Sequence, residues 1–164
     1  MKIQYVSDLH LEFKENSQYL KENPLDIAGE ILLIAGDSAY LDTPEFSCHP
    51  FWRWASANYK EVVVCLGNHE FYQYYDISKL ENHHVPTNLA VADEFKGSQI
   101  NGAFTCDLSD YIADSGIDYW IYGHSHRNIE VMLGKTKITC NQLGYVFNGE
   151  HLNNGYVKSK FIEI

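Results

Sequence analysis

The sequence predicts an α/β fold in which helices cover a largely parallel sheet, and three observations support this. Four short apolar segments have the length and β-branched content of buried strands, at residues 2–6, 30–35, 61–66 and 118–122. Helical patterns lie between some of them, and strand–helix alternation is typical of layered α/β proteins. The 164 residues, 45% of them hydrophobic, suffice for one core, so we expect a single domain over residues 1–164.

The remaining elements are predicted from local start and stop signals. Pro50 suits the first turn of one helix, because a missing backbone N–H costs nothing there. A second helix is predicted from about residue 103 to residue 114, with Gly116 just beyond its end. The stretches 135–141 and 155–164 are expected to pair as a closing hairpin of two strands.

The charge balance and the apolar segments limit the partners. The chain has 22 acidic against 12 basic residues and a formal net charge of −10, which argues against nucleic acids larger than nucleotides. The first residues lack the apolar region of a secretory signal, and the apolar run 31–36 is too short to span a bilayer. We therefore expect a cytoplasmic protein with no membrane partner.

Polar side chains follow each of the four predicted strands. They are Asp8 and His10 after the first strand, Asp37 after the second, Asn68 and His69 after the third, and His124 and His126 after the fourth. In open α/β sheets, ligands bind in the crevice beyond the carboxyl ends of the strands. Each residue alone would be explained as a turn or a cap. Together they form a nitrogen and oxygen donor set without thiolates, which predicts a site for manganese, iron or zinc.

These residues occur in motifs that resemble those of the calcineurin-like metallophosphoesterases, in particular the small bacterial-type members. The motifs are DLH at 8–10, GD at 36–37, GNHE at 67–70, HHVP at 83–86 and GHSH at 123–126. The resemblance implies the layered α/β sandwich of that family.

The resemblance also implies two divalent metal ions and a set of ligands. The implied ligands are Asp8, His10 and His126 for one ion and Asn68, His83 and His124 for the other, with Asp37 bridging the two. His69 is implied as the catalytic residue that helps to protonate the leaving oxygen. Glu70 is interpreted as a supporting group or a helix-start residue and not as a ligand.

One part of the chain departs from the family pattern. Only residues 71–82 separate the GNHE and HHVP motifs, and this polar stretch is interpreted as one helix where the family has a longer segment with further strands. We therefore expect a smaller sheet with an exposed edge strand that can pair with a second copy to give a homo-oligomer. Either His83 or His84 fits the spacing of the remaining ligand.

Two residues outside the motifs have open roles. Arg127, directly after the histidine pair, can contact phosphate or serve as an ordinary surface residue. Tyr145 lies in a segment that can face the crevice, although a plain turn is the more common explanation for such a segment.

The activity implied by the resemblance is hydrolysis of a small phosphate ester. The substrate is a phosphomonoester or a phosphodiester, which is attacked by a hydroxide bridging the two metal ions. The alternative is a catalytically impaired relative that serves as a binding or assembly module, which the short middle segment favours. The intact motif residues, His69 included, favour the enzyme.

Overall fold

The computed structural model describes residues 1–41, 43–72, 84–99 and 101–164. The strands are β1 (Lys2–Val6), β2 (Ile31–Ala35), β3 (Glu61–Cys65), β4 (Tyr119–Tyr122), β5 (Val131–Leu133), β6 (Thr136–Cys140) and β7 (Phe161–Glu163). The α-helices are α1 (Lys14–Glu22), α2 (Pro44–Ser47), α3 (Pro50–Asn58) and α4 (Ser109–Ser115). Among these described residues, no helix is long and apolar enough to cross a membrane.

The strands form two sheets, which confirms the predicted α/β class. One sheet has the order β3-β2-β1-β7, with β1, β2 and β3 parallel and β7 antiparallel to β1. The other has the order β4-β6-β5, with β4 parallel to β6 and β5 antiparallel to it. The expectation that all four apolar strands share one sheet is therefore wrong, because β4 belongs to the second sheet.

The predicted closing hairpin is also wrong. The last strand, β7, pairs with β1, and the hairpin of this region joins β5 to β6. Only Gly134 and Lys135 separate β5 from β6, and Gly134 has a φ of 59°, as two-residue hairpin turns require. The three-residue strand β5 is too short to stand out as a pattern in the sequence.

Two of the predicted helices are found, one of them with a shifted start. Helix α3 begins at Pro50 as expected, and its face carrying Phe51 is buried. Helix α4 begins at Ser109 and not near residue 103, because the Asp107 carboxylate accepts hydrogen bonds from the Ser109 amide and hydroxyl. Gly116 ends this helix in the left-handed conformation, as predicted. Helix α1 was not predicted.

The two sheets meet where β1 and β6 end. Beyond these strands the Ser7 amide donates to the Asn141 carbonyl at 3.1 Å, and the Leu143 amide donates to the Ser7 carbonyl at 3.1 Å. The Tyr5 hydroxyl lies 2.9 Å from the Thr139 hydroxyl, in the buried space between the sheets. Because the strand ends are fixed side by side, the segments that follow β1 and β4 reach the same crevice.

Strand β3 is an edge strand whose side chains are largely exposed. Val63 and Val64 are 44% and 37% exposed, so the expectation of a buried strand here is wrong. Among the described residues, no strand pairs with the outer edge of β3. Association of a second copy at this edge stays a prediction. The helix predicted over 71–82 lies outside the described residues from residue 73 onward.

Glu130 joins the second sheet to the chain that leads into β7. Its carboxylate accepts hydrogen bonds from Thr139 at 2.7 Å, Lys137 at 2.8 Å and Lys160 at 2.9 Å. Partial burial opposes ionisation, but these three hydrogen bonds outweigh it and lower the pKa of Glu130 to about 2. The ionised carboxylate therefore stabilises the contact between the two sheets.

We predict that Glu130→Gln lowers the free energy of unfolding at pH 7 by about 1 kcal/mol, as expected for a partly exposed ion-pair network. The folded-state pKa lies below that of the unfolded chain, so the stabilisation is present above about pH 4.5 and is lost as the pH falls toward about 2. Chemical denaturation as a function of pH measures this. The control Glu163→Gln changes an exposed glutamate and should match the unaltered protein at every pH, whereas a constant deficit in Glu130→Gln would contradict the assignment.

Candidate metal centre

Five of the predicted ligand residues have a left-handed backbone. Asp8, His10, Asp37, His124 and His126 have φ values between 48° and 79°, and among the described residues these are the only non-glycine residues with positive φ. Such a conformation costs about 1 kcal/mol or more for each residue and is concentrated at functional sites. After β1, β2 and β4 the chain therefore adopts an unfavourable backbone conformation at residues that were predicted to bind metal, whereas Asn68 after β3 has a right-handed backbone.

Asp8, His10 and His126 bring three donor atoms together. The Nε2 atoms of His10 and His126 are 3.1 Å apart, and the His126 Nε2 atom lies 3.3 Å from Oδ1 of Asp8. Ligand atoms that share one cation at about 2.1 Å lie roughly 3–3.5 Å from each other. All three residues are buried, so the spacing and the environment both fit a single divalent ion.

Each of the two histidines in this group has a carboxylate of its own at its second ring nitrogen. Glu12 Oε1 lies 3.1 Å from Nδ1 of His10, and Glu150 Oε2 lies 2.7 Å from Nδ1 of His126. This fixes the ring orientation and leaves Nε2 of each histidine facing the shared position. Histidines that bind metal in proteins have this carboxylate partner in most cases.

The carboxylates of Asp8 and Glu150 determine the charge of His126. Burial opposes protonation of this ring, but its hydrogen bonds with Asp8 and Glu150 outweigh burial and raise the pKa of His126 to about 10. Burial likewise opposes ionisation of Glu12, and hydrogen bonds with His10 and His69 outweigh it and lower the pKa of Glu12. In the protein without a bound cation, the protonated His126 thus neutralises part of the negative charge of the carboxylates around it.

The residues predicted for the second ion lie on the other side of Asp8. Asn68 Oδ1 is 2.7 Å from Nδ1 of His124, and the His124 amide donates to Asp8 Oδ1 at 2.9 Å. Asp37 lines the same crevice, where its Oδ1 accepts a hydrogen bond from the His69 amide at 2.8 Å.

The remaining ligand of this ion was left open between two histidines. The ring of His84 packs against that of His124, with centroids 4.0 Å apart, which places His84 beside the second group. His83 lies outside the described residues.

Glu70 holds together the loops that follow β2 and β3. Its buried carboxylate accepts hydrogen bonds from the backbone amides of Gly67, Asp37 and Ser38, and from the Ser38 hydroxyl. This agrees with the supporting role inferred from the sequence. The carboxylate fixes the backbone of Asp37 relative to the turn that carries Asn68.

His69 lies next to the first group of ligands. Its Nδ1 atom is 2.9 Å from Glu12 Oε1, so Glu12 contacts both His69 and His10. Its Nε2 atom is 3.4 Å from the hydroxyl of Tyr145, whose ring also packs against His10 and His126. The interpretation of Tyr145 as part of a plain turn is therefore wrong, since its side chain lines the crevice.

The ligand residues open into a crevice of about 370 Å³. Its lining includes Asp37, Asn68, His69, His124, His126 and Tyr145, together with Phe95, Phe104 and Arg127. Arg127 thus faces the crevice, while its guanidinium is bound to Glu94 at 2.8 Å. A crevice of this size can hold a small molecule.

Comparison with known proteins assigns the chain to a family. The family model described as calcineurin-like phosphoesterase matches residues 1–106, which include the DLH, GD, GNHE and HHVP motifs. The chain belongs to the calcineurin-like phosphoesterase family. The sequence-based resemblance is thereby confirmed, and membership carries with it an expectation of divalent-metal binding, which the donor groups described above fit.

Two solved structures resemble this chain at low sequence identity. A conserved uncharacterized protein from Streptococcus pneumoniae TIGR4, a predicted phosphoesterase, is 17% identical, with a TM-score of 0.45 over 86% of this chain and 71% of its own. A single mutant of Vps29 from Entamoeba histolytica is 14% identical, with a TM-score of 0.45 over 86% of this chain and 73% of its own. A search of curated proteins finds no significant match.

The sequence did not point to Glu12 or Glu150 as residues of this site, and it offered Tyr145 only as a residue of a segment that can face the crevice. Glu12 lies two positions after His10, and an acidic residue this close to a ligand motif was a signal by which it could have been found. Glu150 has no such signal, because it reaches His126 from a turn 24 residues away in the chain. Glu150 follows β6 and His126 follows β4, so the pairing of these two strands, and not local pattern, brings Glu150 to the site.

We predict that Glu12→Gln weakens binding of Mn²⁺ by about 10- to 100-fold, because His10 and His69 lose the carboxylate that orients them. Calorimetric titration of metal-stripped protein measures the affinity. The control Glu15→Gln removes an exposed carboxylate from the first turn of α1 and should bind Mn²⁺ like the unaltered protein. Equal affinities for the two variants would show that Glu12 does not support the ligands.

Proposed function

We propose that this protein is a metal-dependent phosphoesterase that hydrolyses a small phosphomonoester or phosphodiester. The observation that carries the proposal is the buried group of Asp8, His10 and His126, with a carboxylate behind each imidazole, at the base of an open crevice. Membership of the phosphoesterase family supports the same reaction class. Residues 1–164 act in this proposal as one domain.

The proposal assigns two divalent cations to the donor groups of the crevice. Asp8, His10 and His126 would hold one ion, Asn68 and His124 would hold the other together with His84 or His83, and Asp37 would be shared by both. The donors are imidazole nitrogens and carboxylate or amide oxygens, the set that manganese, iron and zinc accept. Bound there, such ions neutralise charge on a phosphate and lower the pKa of water.

His69 is proposed as the group that donates a proton to the leaving oxygen. Glu12 accepts a hydrogen bond from Nδ1 and fixes the ring, so Nε2 is the nitrogen that faces the crevice. The imidazolium form of His69, protonated on both nitrogens, would give its Nε2 proton to the leaving oxygen and keep the proton on Nδ1. The Tyr145 hydroxyl, 3.4 Å from this nitrogen, orients a group that binds there. A general acid in this position contributes about 10²- to 10⁴-fold to the rate.

We predict that His69→Ala lowers kcat by about 10²- to 10⁴-fold and leaves the metal content nearly unchanged. The measurement is hydrolysis of para-nitrophenyl phosphate and of its bis-ester by metal-stripped protein after addition of Mn²⁺. The preferred ester separates a monoesterase from a diesterase. The control is His151→Ala, which removes a histidine that packs on Tyr19 outside the crevice.

Loss of metal from His69→Ala would contradict the role proposed for this histidine. If the unaltered protein is folded and loaded with metal but is no more active than His69→Ala, the proposed enzymatic function is wrong. That result would favour the binding or assembly module, for which the short segment between GNHE and HHVP is the supporting observation.

We predict that Asp37→Ala reduces bound Mn²⁺ from about two ions per chain to less than one, because each ion loses a ligand if Asp37 bridges them. Metal analysis after dialysis gives the stoichiometry, and thermal unfolding shows whether the variant is folded. Asp93→Ala removes an exposed carboxylate that binds Lys96 and serves as the control. One tightly held ion in Asp37→Ala would show that Asp37 does not bridge.

A further inference from the structure

An apolar recess opens beside the crevice and shares part of its wall. The recess has a volume of about 90 Å³ and is lined by Val85, Val91, Ala92, Phe95, Asn101, Phe104, Thr105 and Ser125. Phe95, Phe104 and Ser125 also line the larger crevice, so the two spaces adjoin each other. A group attached to a phosphate at the ligand residues can therefore contact these shared residues at the rim of the recess.

Phe95 and Phe104 form the boundary between the two spaces, the phenylalanine wall. Each of these side chains is 39% exposed, although both are large and apolar. The Phe104 ring lies 4.9 Å from that of His124, and the Phe95 ring lies 5.7 Å from the Arg127 guanidinium. Exposed aromatic rings that line a groove beside a reactive centre are typical of ligand contact surfaces.

The recess also contains polar groups at its far side. The hydroxyl oxygen of Thr105 is buried and has no hydrogen-bond partner among the described residues. A buried hydroxyl without a partner loses hydrogen-bond energy, and a polar atom on a bound ring can restore it. The recess therefore fits a ring that is mostly apolar and carries a polar edge or substituent.

The charges of the crevice favour the same kind of substrate. Arg127 is the one arginine or lysine among the described lining residues, and Glu94 already binds it, while His126 is paired with Asp8 and Glu150. A second anionic group on the substrate would meet Asp37 and Glu150, and no arginine or lysine in the described lining is free to bind it. Affinity for the part of the substrate beyond the phosphate must then come from packing and stacking.

We propose that the preferred substrate is a phosphate ester whose alcohol carries a single aromatic ring, which stacks on the phenylalanine wall and enters the recess. This inference rests on the proposed phosphoesterase function and adds a substrate class to it. A closed apolar cavity of about 150 Å³ binds benzene. The recess, at about 90 Å³, is smaller, so it takes the edge of one ring while the face of that ring lies on the phenylalanine wall. An aryl group and a pyrimidine base share the required chemistry.

The test compares esters that differ in the ring and not in the kind of leaving alcohol. Benzyl phosphate is compared with ethyl phosphate, or their methyl diesters if the protein is a diesterase. Uridine 5′-phosphate against ribose 5-phosphate then distinguishes a pyrimidine from a simple aryl group. The variants are Phe95→Ala, Phe104→Ala and the milder Phe104→Leu, with Phe161→Ala as the control. Phe161 is 40% exposed and lies on β7, so it matches the wall residues in exposure.

We expect kcat/KM to favour the ester with the ring by about 10-fold, as aromatic stacking on a ring allows. In the variants of Phe95 and of Phe104, the ratio of kcat/KM for benzyl phosphate to kcat/KM for ethyl phosphate should fall toward one, because KM for the benzyl ester rises. Phe161→Ala should leave this ratio unchanged. A ratio near one in the unaltered protein would overturn the inference. A preference that survives both wall replacements in folded protein would also overturn it.

A binding measurement separates this inference from the proposed activity. If neither ester is hydrolysed, the phosphoesterase function fails, and the metal-loaded protein is titrated with benzylphosphonate and ethylphosphonate. Binding of benzylphosphonate about 10-fold tighter, lost in Phe104→Ala and Phe104→Leu, supports the ring site without catalysis. Equal binding of the two phosphonates overturns it.

Discussion

The burial of carboxylates and imidazoles at the junction of the two sheets is the constraint on which this structure depends. Asp8 and His10 are fully buried and His126 nearly so, in a chain whose net charge is −10. A buried charge or an unsatisfied imidazole costs several kcal/mol unless a partner compensates it. The surrounding structure supplies partners from both sheets, and the positions of Glu12 and Glu150 follow from this need.

Glu12 connects two parts of the site that the sequence treats as separate. One oxygen of this carboxylate contacts both His10, a proposed ligand, and His69, the proposed acid. The side chain is almost inaccessible to solvent, so its ionised form depends on these two rings. A shift of either histidine would therefore move Glu12 and so change the hydrogen bond of the other histidine.

The sequence predicted the parts of the site that depend on local pattern. The bounds of β1 to β4 and the residues that follow each strand can be read from short apolar runs and motifs. The division into two sheets cannot, because it depends on β4 pairing with β6 and on β7 pairing with β1, contacts between distant parts of the chain. The exposure of β3 was missed for a related reason. Its valines look like core residues, and only its place at the edge of the sheet leaves them open to solvent.

The exposed edge strand also makes the two halves of the crevice unequal. Asp8 and His10 follow β1, a central strand whose C-terminal half is buried, whereas Asn68 and His69 follow β3 at the periphery. Local opening begins where few side chains are packed. The turn that carries Asn68 therefore depends for its order less on packing of its strand and more on the buried carboxylate of Glu70, which binds the backbone amides of both neighbouring loops.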